Sequence, residues 1–397
     1  MLSACSPVSV QGRDPPIWYR LSLAMLSAPA KVLMTVDAVG GVWSYALSLC
    51  RGLAARGWKV TLVSFGEPAS EAQRAEVAEL DDIDLVETRY KLEWMPDPWA
   101  EVDQAGRLLQ EIVQAEMPAL VHLNGYAHAA LPWPVPVVVV AHSCVFTWWQ
   151  AVHGCWPPQE EYGEYGRRVR AGLDGANAVV APTRAMLASL QEAYRWPGKG
   201  TVIPNGIAAS DVGPLPKRAL IASAGRLWDP AKGIGVLEQI APELLWPLVV
   251  AGAGRETGGT ETRVSNLRLL GKLSRRETRA LFAGASIFAA PVRYEPFGLA
   301  ILEAAEAGCA LVLGDLASLR ENWDGAAEFA DPQDPEAWRD ALNGLARDEA
   351  RRRRLASLAA QRAQRFPNSR MVDRYVNLYQ SLLKRCHSGA ITEGVVA

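Results

Sequence analysis

From Lys31 onward, short apolar runs alternate with amphipathic ones. "KVLMTVD" reads as a strand, "VWSYALSLCRGLAARG" as a helix stopping at Gly57, and "WKVTLVSFG" as a second strand. "DIDLVETRY", "ALVHLNG", "PVVVVAHS", "NAVVAPT" and "GTVIPNG" follow as further strand candidates. Strands that are apolar along their length, with helices between them, predict a parallel sheet covered on both faces. The loop-like stretch "IPNGIAASDVGPLPKR" interrupts the series, which then restarts with "ALIASAG", "WPLVVAG", "NLRLLG", "ASIFAAPV" and "CALVLGD". One helix of this second series opens with "SRRE", where Ser274 and Glu277 form a capping box.

The pattern therefore predicts an α/β protein of two doubly wound, Rossmann-like domains facing a central cleft, residues 31–205 and 206–367. After the break at "FPN", Met371, Val372, Tyr375, Leu378, Tyr379 and Leu382 give the segment 368–387 one apolar helical face. That helix is expected to cross back to the first domain. The run Arg351 to Arg354 in the preceding helix reads as a solvated face, with a membrane-facing basic helix as the alternative. Residues 1–30 place Arg13, Asp14, Pro15 and Pro16 before their short apolar patch, which is the wrong order for a secretory signal. A disordered extension is expected there, with Met25 as an alternative start.

A length of 397 residues agrees with two or three domains. A formal charge of −2 gives no reason to expect a nucleic-acid partner. Runs such as "VPVVVVA" are too short to span a bilayer, so membrane contact is expected to be peripheral at most, on the inner face. The six cysteines are scattered with no C-x-x-C pair, as expected of reduced thiols in a cytoplasm. His122, His128, His142 and His153 do not fall at helical i, i+4 spacing, and no metal is expected.

Three loops carry candidate chemistry. In "VDAVGGVW", Gly40 and Gly41 follow a strand and open a helix, where bare N–H groups can approach an anion. A tight turn explains the same residues. In "SAGRLWDPAKG", Arg226 and Lys232 stand at the exit of the second domain's first strand, a guanidinium fork and an ammonium suited to a diphosphate. Exposed loop cations are the plainer reading. In "YEPFGLAILEAAEAG", Glu295 lies at the sheet edge and Glu303 eight positions on, inside a helix. Pro296 is expected in that helix's first turn, and Gly298 lets a ligand approach its free N–H groups. A capping role for Glu295 and a solvated Glu303 are the alternatives.

"GRLWDPAKG" followed by "EPFGLAILEAAEAG" resembles the donor-site signature of glycosyltransferase family 4, whose fold is GT-B. "DAVGGVWSYALSLCRGLAARG", "HLNGYAHAALPW", "AHSC", "VIPNGI" and "GDLASLREN" resemble the family's other landmarks in the same order, and the resemblance spans residues 31 to 385. It implies an enzyme that moves a sugar from a nucleotide-sugar donor to a sugar, lipid-linked or small-molecule acceptor with retention of configuration and without a metal or other cofactor. It leaves UDP, GDP and ADP donors equally open.

On that resemblance the second domain binds the nucleotide and the first binds most of the acceptor. Arg226 and Lys232 would neutralise the diphosphate, aided by the N–H groups of Phe297, Gly298 and Leu299. Glu303 would take the ribose hydroxyls and Glu295 the donor sugar. Gly41, beside Gly40, would touch the phosphate side, His142 the sugar, and the backbone near Lys272 and Leu273 the nucleobase. One departure stands out: Arg226 and Lys232 are six apart where many members show five. The tryptophans at 94, 99, 133, 148, 149 and 156 are expected to be mostly core, with one or two lining an acceptor site. An NDP-sugar epimerase or hydrolase on the same fold is the alternative function, and a non-catalytic binding protein a third.

Overall fold

The computed structural model describes residues 30–38, 40–254 and 266–393, with side chains as far as residue 386. The expected extension at residues 1–30 lies almost wholly outside the described residues. Two parallel sheets organise the rest. The first comprises β1 (Lys31–Asp37), β2 (Lys59–Phe65), β3 (Ile83–Glu87), β4 (Leu120–Leu123), β5 (Val137–Val140), β6 (Ala178–Ala181) and β7 (Thr201–Val202). Its order is β3-β2-β1-β4-β5-β6-β7. The second contains β8 (Arg218–Ala224), β9 (Leu248–Ala251), β10 (Arg268–Leu269), β11 (Ala285–Ala290), β12 (Ala310–Gly314) and β13 (Glu328–Ala330), in the order β10-β9-β8-β11-β12-β13. Each order reverses direction beside the first strand of its sheet, and such a reversal leaves a crevice at the strand exits.

The helices of the first unit are α1 (Gly41–Ala54), α2 (Glu71–Ala78), α3 (Trp99–Glu116), α4 (Val145–His153), α5 (Gln159–Gly175) and α6 (Arg184–Ala193). Those of the second are α7 (Ile234–Ile240), α8 (Arg275–Gly284), α9 (Leu299–Glu306), α10 (Ala317–Trp323), α11 (Pro335–Arg347) and α12 (Glu349–Ala363), followed by α13 (Asn368–Glu393). Both faces of each sheet are covered. Val138 and Val140 of β5 face one core while Val137 and Val139 face the other, which explains a strand with no polar alternation. Ser274 and Glu277 make the expected capping box at the start of α8.

The last helix returns to the first unit. Met371, Val372, Tyr375, Tyr379 and Leu382 are buried in the core that α1 forms on the first sheet. Gly52 of α1 makes the close crossing possible, because a Cβ there would stand 2.2 Å from Val372 Cγ2. The two chain crossings lie side by side: Ile207 N–H donates to Phe366 O at 3.2 Å and Asn368 N–H to Ile207 O at 2.9 Å.

Several boundaries differ from the sequence reading. α1 ends at Ala54, and Gly57 serves the turn that follows, with φ 75°. "DIDLVETRY" supplies only Ile83–Glu87, and "GTVIPNG" and "NLRLLG" shorten to two-residue strands at the edges of their sheets. The edge strand β13 had no apolar run to announce it.

Candidate active site

Strand exits from both sheets meet at one cleft. At the end of β1, Gly40 has φ 78° and ψ −146°, a backbone region essentially closed to residues with a Cβ. It turns the chain straight into α1. A Cβ on Gly40 would lie 3.8 Å from Arg226 Nη1, and one on Gly41 would lie 3.5 Å from Leu299 Cδ1. The glycine loop of the first unit thus faces the cation loop and helix start of the second.

Lys232 Nζ donates to Glu295 Oε2 at 2.8 Å, with both side chains about four-fifths buried. Arg226 rests over the Trp228 ring and donates through Nη2 to Asp229 Oδ2 at 2.8 Å. Asp229 is almost fully buried. Its other oxygen accepts from Ala231 N–H at 3.0 Å and from the Trp148 indole N–H at 3.1 Å. The extra residue between Arg226 and Lys232 is accommodated by this carboxylate, which caps a 3-10 turn over Pro230–Lys232 and fixes the loop's shape.

Glu295 itself is held by its backbone. Ser318 Oγ donates to Glu295 O at 2.6 Å, and Thr183 Oγ1 of the first unit donates to Pro296 O at 3.0 Å. The preceding Tyr294 reaches into the first unit, where its hydroxyl meets Thr147 Oγ1 at 2.8 Å and accepts from Cys144 N–H at 3.3 Å.

Pro296 is not in the first helical turn, contrary to expectation. Helix α9 begins at Leu299, with Gly298 as its cap at φ 88° and ψ 69°. The Phe297 side chain is buried against Phe366, so Phe297 can offer the cleft only its backbone. The left-handed turn at Gly298 drives Phe297 into the core and leaves α9 with no side-chain cap. Glu303 lies one turn on. Burial raises its carboxyl above the usual range, opposed by the nearby Arg279 and Arg275 guanidiniums. Lys272 is exposed and Leu273 half-buried, in the loop before α8.

His142 follows β5 and donates from Nε2 toward Asn124 Oδ1 at 2.8 Å, with Tyr45 packed edge-on at 4.4 Å. Burial pulls its pKa down to about 3, and His122 pushes in the same direction. The other histidines serve elsewhere: His122 is in the core, His128 Nε2 bonds Val102 O at 2.9 Å, and His153 packs on Trp149. Among the described residues, no group of three or more His, Cys, Asp or Glu could hold a metal ion.

The tryptophans depart from expectation. Of the six named, Trp94 and Trp156 are exposed and the other four only partly buried. The reason is local: the Trp148 N–H is drawn to Asp229, Trp99 lies under Arg168, and Trp149 stacks with His153 and Tyr162. Sequence reading also missed Asp229, Tyr294 and Asn124. The "DP" and "NG" dipeptides were the only local signals for two of them.

Two family models match the chain in succession. Glycosyltransferase Family 4 covers residues 39–211, and Glycosyl transferases group 1 covers residues 218–348. The chain belongs to glycosyltransferase family 4. It is 27% identical over 201 residues to a phosphatidyl-myo-inositol mannosyltransferase of Mycobacterium leprae, covering 45% of this chain and 53% of that protein. It is 28% identical over 431 residues to a D-inositol 3-phosphate glycosyltransferase of Xylanimonas cellulosilytica, covering 91% of this chain and 97% of that one. The match to the mycobacterial relative therefore spans about half of that protein's length.

Among solved structures, sucrose-phosphate synthase from Thermosynechococcus elongatus superposes with a TM-score of 0.76 at 17% identity, over 90% of this chain and all of that one. The Anabaena protein HepE, solved with UDP and glucose, gives 0.70 at 16% identity, covering 89% and 100%. These likenesses establish the fold, GT-B.

Proposed function

We propose that this protein transfers a sugar from a nucleotide-sugar donor to an acceptor hydroxyl with retention of anomeric configuration. The observation that carries the reading is the convergence of Arg226, the Lys232–Glu295 pair and the uncapped start of α9 opposite the Gly40–Gly41 turn. Two cations and a set of free helix N–H groups suit a diphosphate, whose negative charge grows as the glycosidic bond breaks. The glutamates suit the other ends of the same ligand. Glu303, on the buried turn, takes the ribose hydroxyls, and Glu295, held beside Lys232, takes the sugar next to its anomeric carbon.

In this mechanism the departing diphosphate lies on the same face as the incoming acceptor and helps to take its proton, through an oxocarbenium-like state. The cation pair stabilises the leaving group where other enzymes place a divalent ion, so transfer is expected to survive chelation. Removing Arg226 costs about 3 kcal/mol of transition-state stabilisation, roughly a hundredfold in kcat/KM. The acceptor is a hydroxyl-bearing small molecule, sugar or lipid headgroup, in keeping with the inositol-based names of the two relatives. The Anabaena protein's UDP makes a uridine donor the first to try.

The test is incubation with UDP-, GDP- and ADP-sugars, with and without inositol phosphate and sugar acceptors and with EDTA in parallel, followed through the anomeric proton by NMR. Retained configuration in a transfer product, unaffected by EDTA, is expected. Hydrolysis or epimerisation alone would favour the alternative enzyme, inversion would overturn the mechanism, and loss of transfer restored by magnesium would overturn its metal independence.

A further inference from the structure

A buried chain of hydrogen bonds runs from the C-terminal helix to His142, and the direction of each bond can be assigned. Asn124 Nδ2 donates to Thr35 O at 2.7 Å, and Asn124 N–H donates to Thr35 Oγ1 at 3.0 Å. The amide is therefore oriented, and Oδ1 is its accepting atom. That oxygen meets two imidazoles, His142 Nε2 at 2.8 Å and His122 Nε2 at 3.3 Å. A carbonyl oxygen accepts only, so each Nε2 carries a proton. His122 Nδ1 is then a lone pair, and it takes the Tyr379 hydroxyl proton at 2.6 Å. Tyr379 lies on α13, more than 250 residues along the chain from His122. Tyr45 completes the cage, with its oxygen 3.4 Å from His122 Nε2 and its ring against His142.

We propose that Asn124 is a positioning residue that holds His142 as the Nε2–H tautomer and presents an unprotonated Nδ1 to the donor sugar, with Tyr379 and His122 fixing Asn124 from behind. The proposal rests on the transferase reading for the identity of the ligand. The protonation pattern does not depend on it. Its chemical content is specific: His142 can accept a hydrogen bond from a sugar hydroxyl but cannot donate one, so it is no proton donor to the leaving group. The low pKa values of both histidines, about 3, keep the pattern intact across neutral pH. The arrangement also gives the C-terminal helix a part in the site that it does not line.

The experiment uses the full chain with imidazole-15N histidine, read by long-range proton–nitrogen correlation without donor, alongside Asn124→Ala and Tyr379→Phe. In the wild type, His142 should show a protonated Nε2 and an unprotonated Nδ1. In Asn124→Ala, the Nδ1–H form should become populated and kcat should fall on the order of tenfold, while UDP affinity, which lies with the second domain, stays unchanged. Tyr379→Phe should move the His122 signal and lower kcat less. A wild-type His142 protonated at Nδ1 would overturn the proposal. So would an Asn124→Ala protein that keeps both tautomer and turnover. Should that variant fail to fold, the wild-type spectrum and Tyr379→Phe decide, and unchanged histidine signals in the latter would remove Tyr379 from the relay. The expected spectrum in a protein that consumes no nucleotide sugar would sink the transferase reading while leaving the tautomer assignment in place.

Discussion

Asp229 shows how one carboxylate can set the geometry of a cation in a cleft. It accepts from Arg226, Ala231 and Trp148 at once, so its three partners belong to the clamp, the loop backbone and the opposite domain. Asp229→Asn keeps the shape and removes the charge that orients Arg226. The expected result is UDP binding weakened about tenfold, near 1.4 kcal/mol, read by calorimetry. Unchanged affinity would mean that Arg226 needs no such partner. His122 supplies a prediction about acid stability. Burial pulls its pKa down to about 3, so below the ordinary value near 6.5 the unfolded chain binds a proton that the folded one refuses. Stability should therefore fall from about pH 6.5 downward, by about 2 kcal/mol at pH 5 from this residue alone. Urea unfolding at pH 7 and pH 5 should show a smaller acid loss in His122→Gln than in the wild type. Equal losses would refute the assignment.

At the scale of elements, the crossing of α1 and α13 depends on Gly52. Alanine is the better helix former there by about 1 kcal/mol, yet its methyl would meet the β-branched Val372. Overpacking costs of about 1–3 kcal/mol should win, and Gly52→Ala should lower the thermal midpoint, with Val372→Ala in the same chain restoring part of it. Calorimetric scans of the single and double variants check this. The same elements show what a sequence can disclose. The strands of the buried sheets and the apolar face of α13 were legible because burial on both sides, or along one stripe, writes itself into local composition. Arg226, Lys232, Glu295 and Glu303 stand out in the sequence because their spacing carries a resemblance. The start of α9 was misread, since Pro296 is a good first-turn residue and nothing local says that Gly298 will turn left-handed and bury Phe297. Asn124 and Asp229 were not legible, because each has a partner far along the chain that no local pattern announces, His142 for Asn124 and Trp148 of the opposite domain for Asp229.

At the scale of the molecule, the two domains are joined by contacts that surround the clamp. Trp148 bonds Asp229, Thr183 bonds Pro296 O, and Tyr294 enters the first domain next to Thr147. Glu321 of α10 accepts from Arg184 and Ala185 N–H at 3.0 and 3.1 Å, capping α6 across the boundary. On the proposed transferase reading, a ligand in the cleft would be met by both halves, the nucleotide by the second and the sugar by residues that face the first. The proposed division of labour between the two glutamates rests on this placement. On that reading Glu303 would hold a part of the donor that is unchanged during reaction, so Glu303→Gln should chiefly raise the donor KM. Glu295 would stand where positive charge develops, so Glu295→Gln should chiefly lower kcat. The most direct measurement is calorimetric binding of free UDP, which lacks the sugar, to the two variants. Near-normal affinity is expected for Glu295→Gln and clearly weakened affinity for Glu303→Gln; the reverse order, or wild-type binding by both, would refute that division.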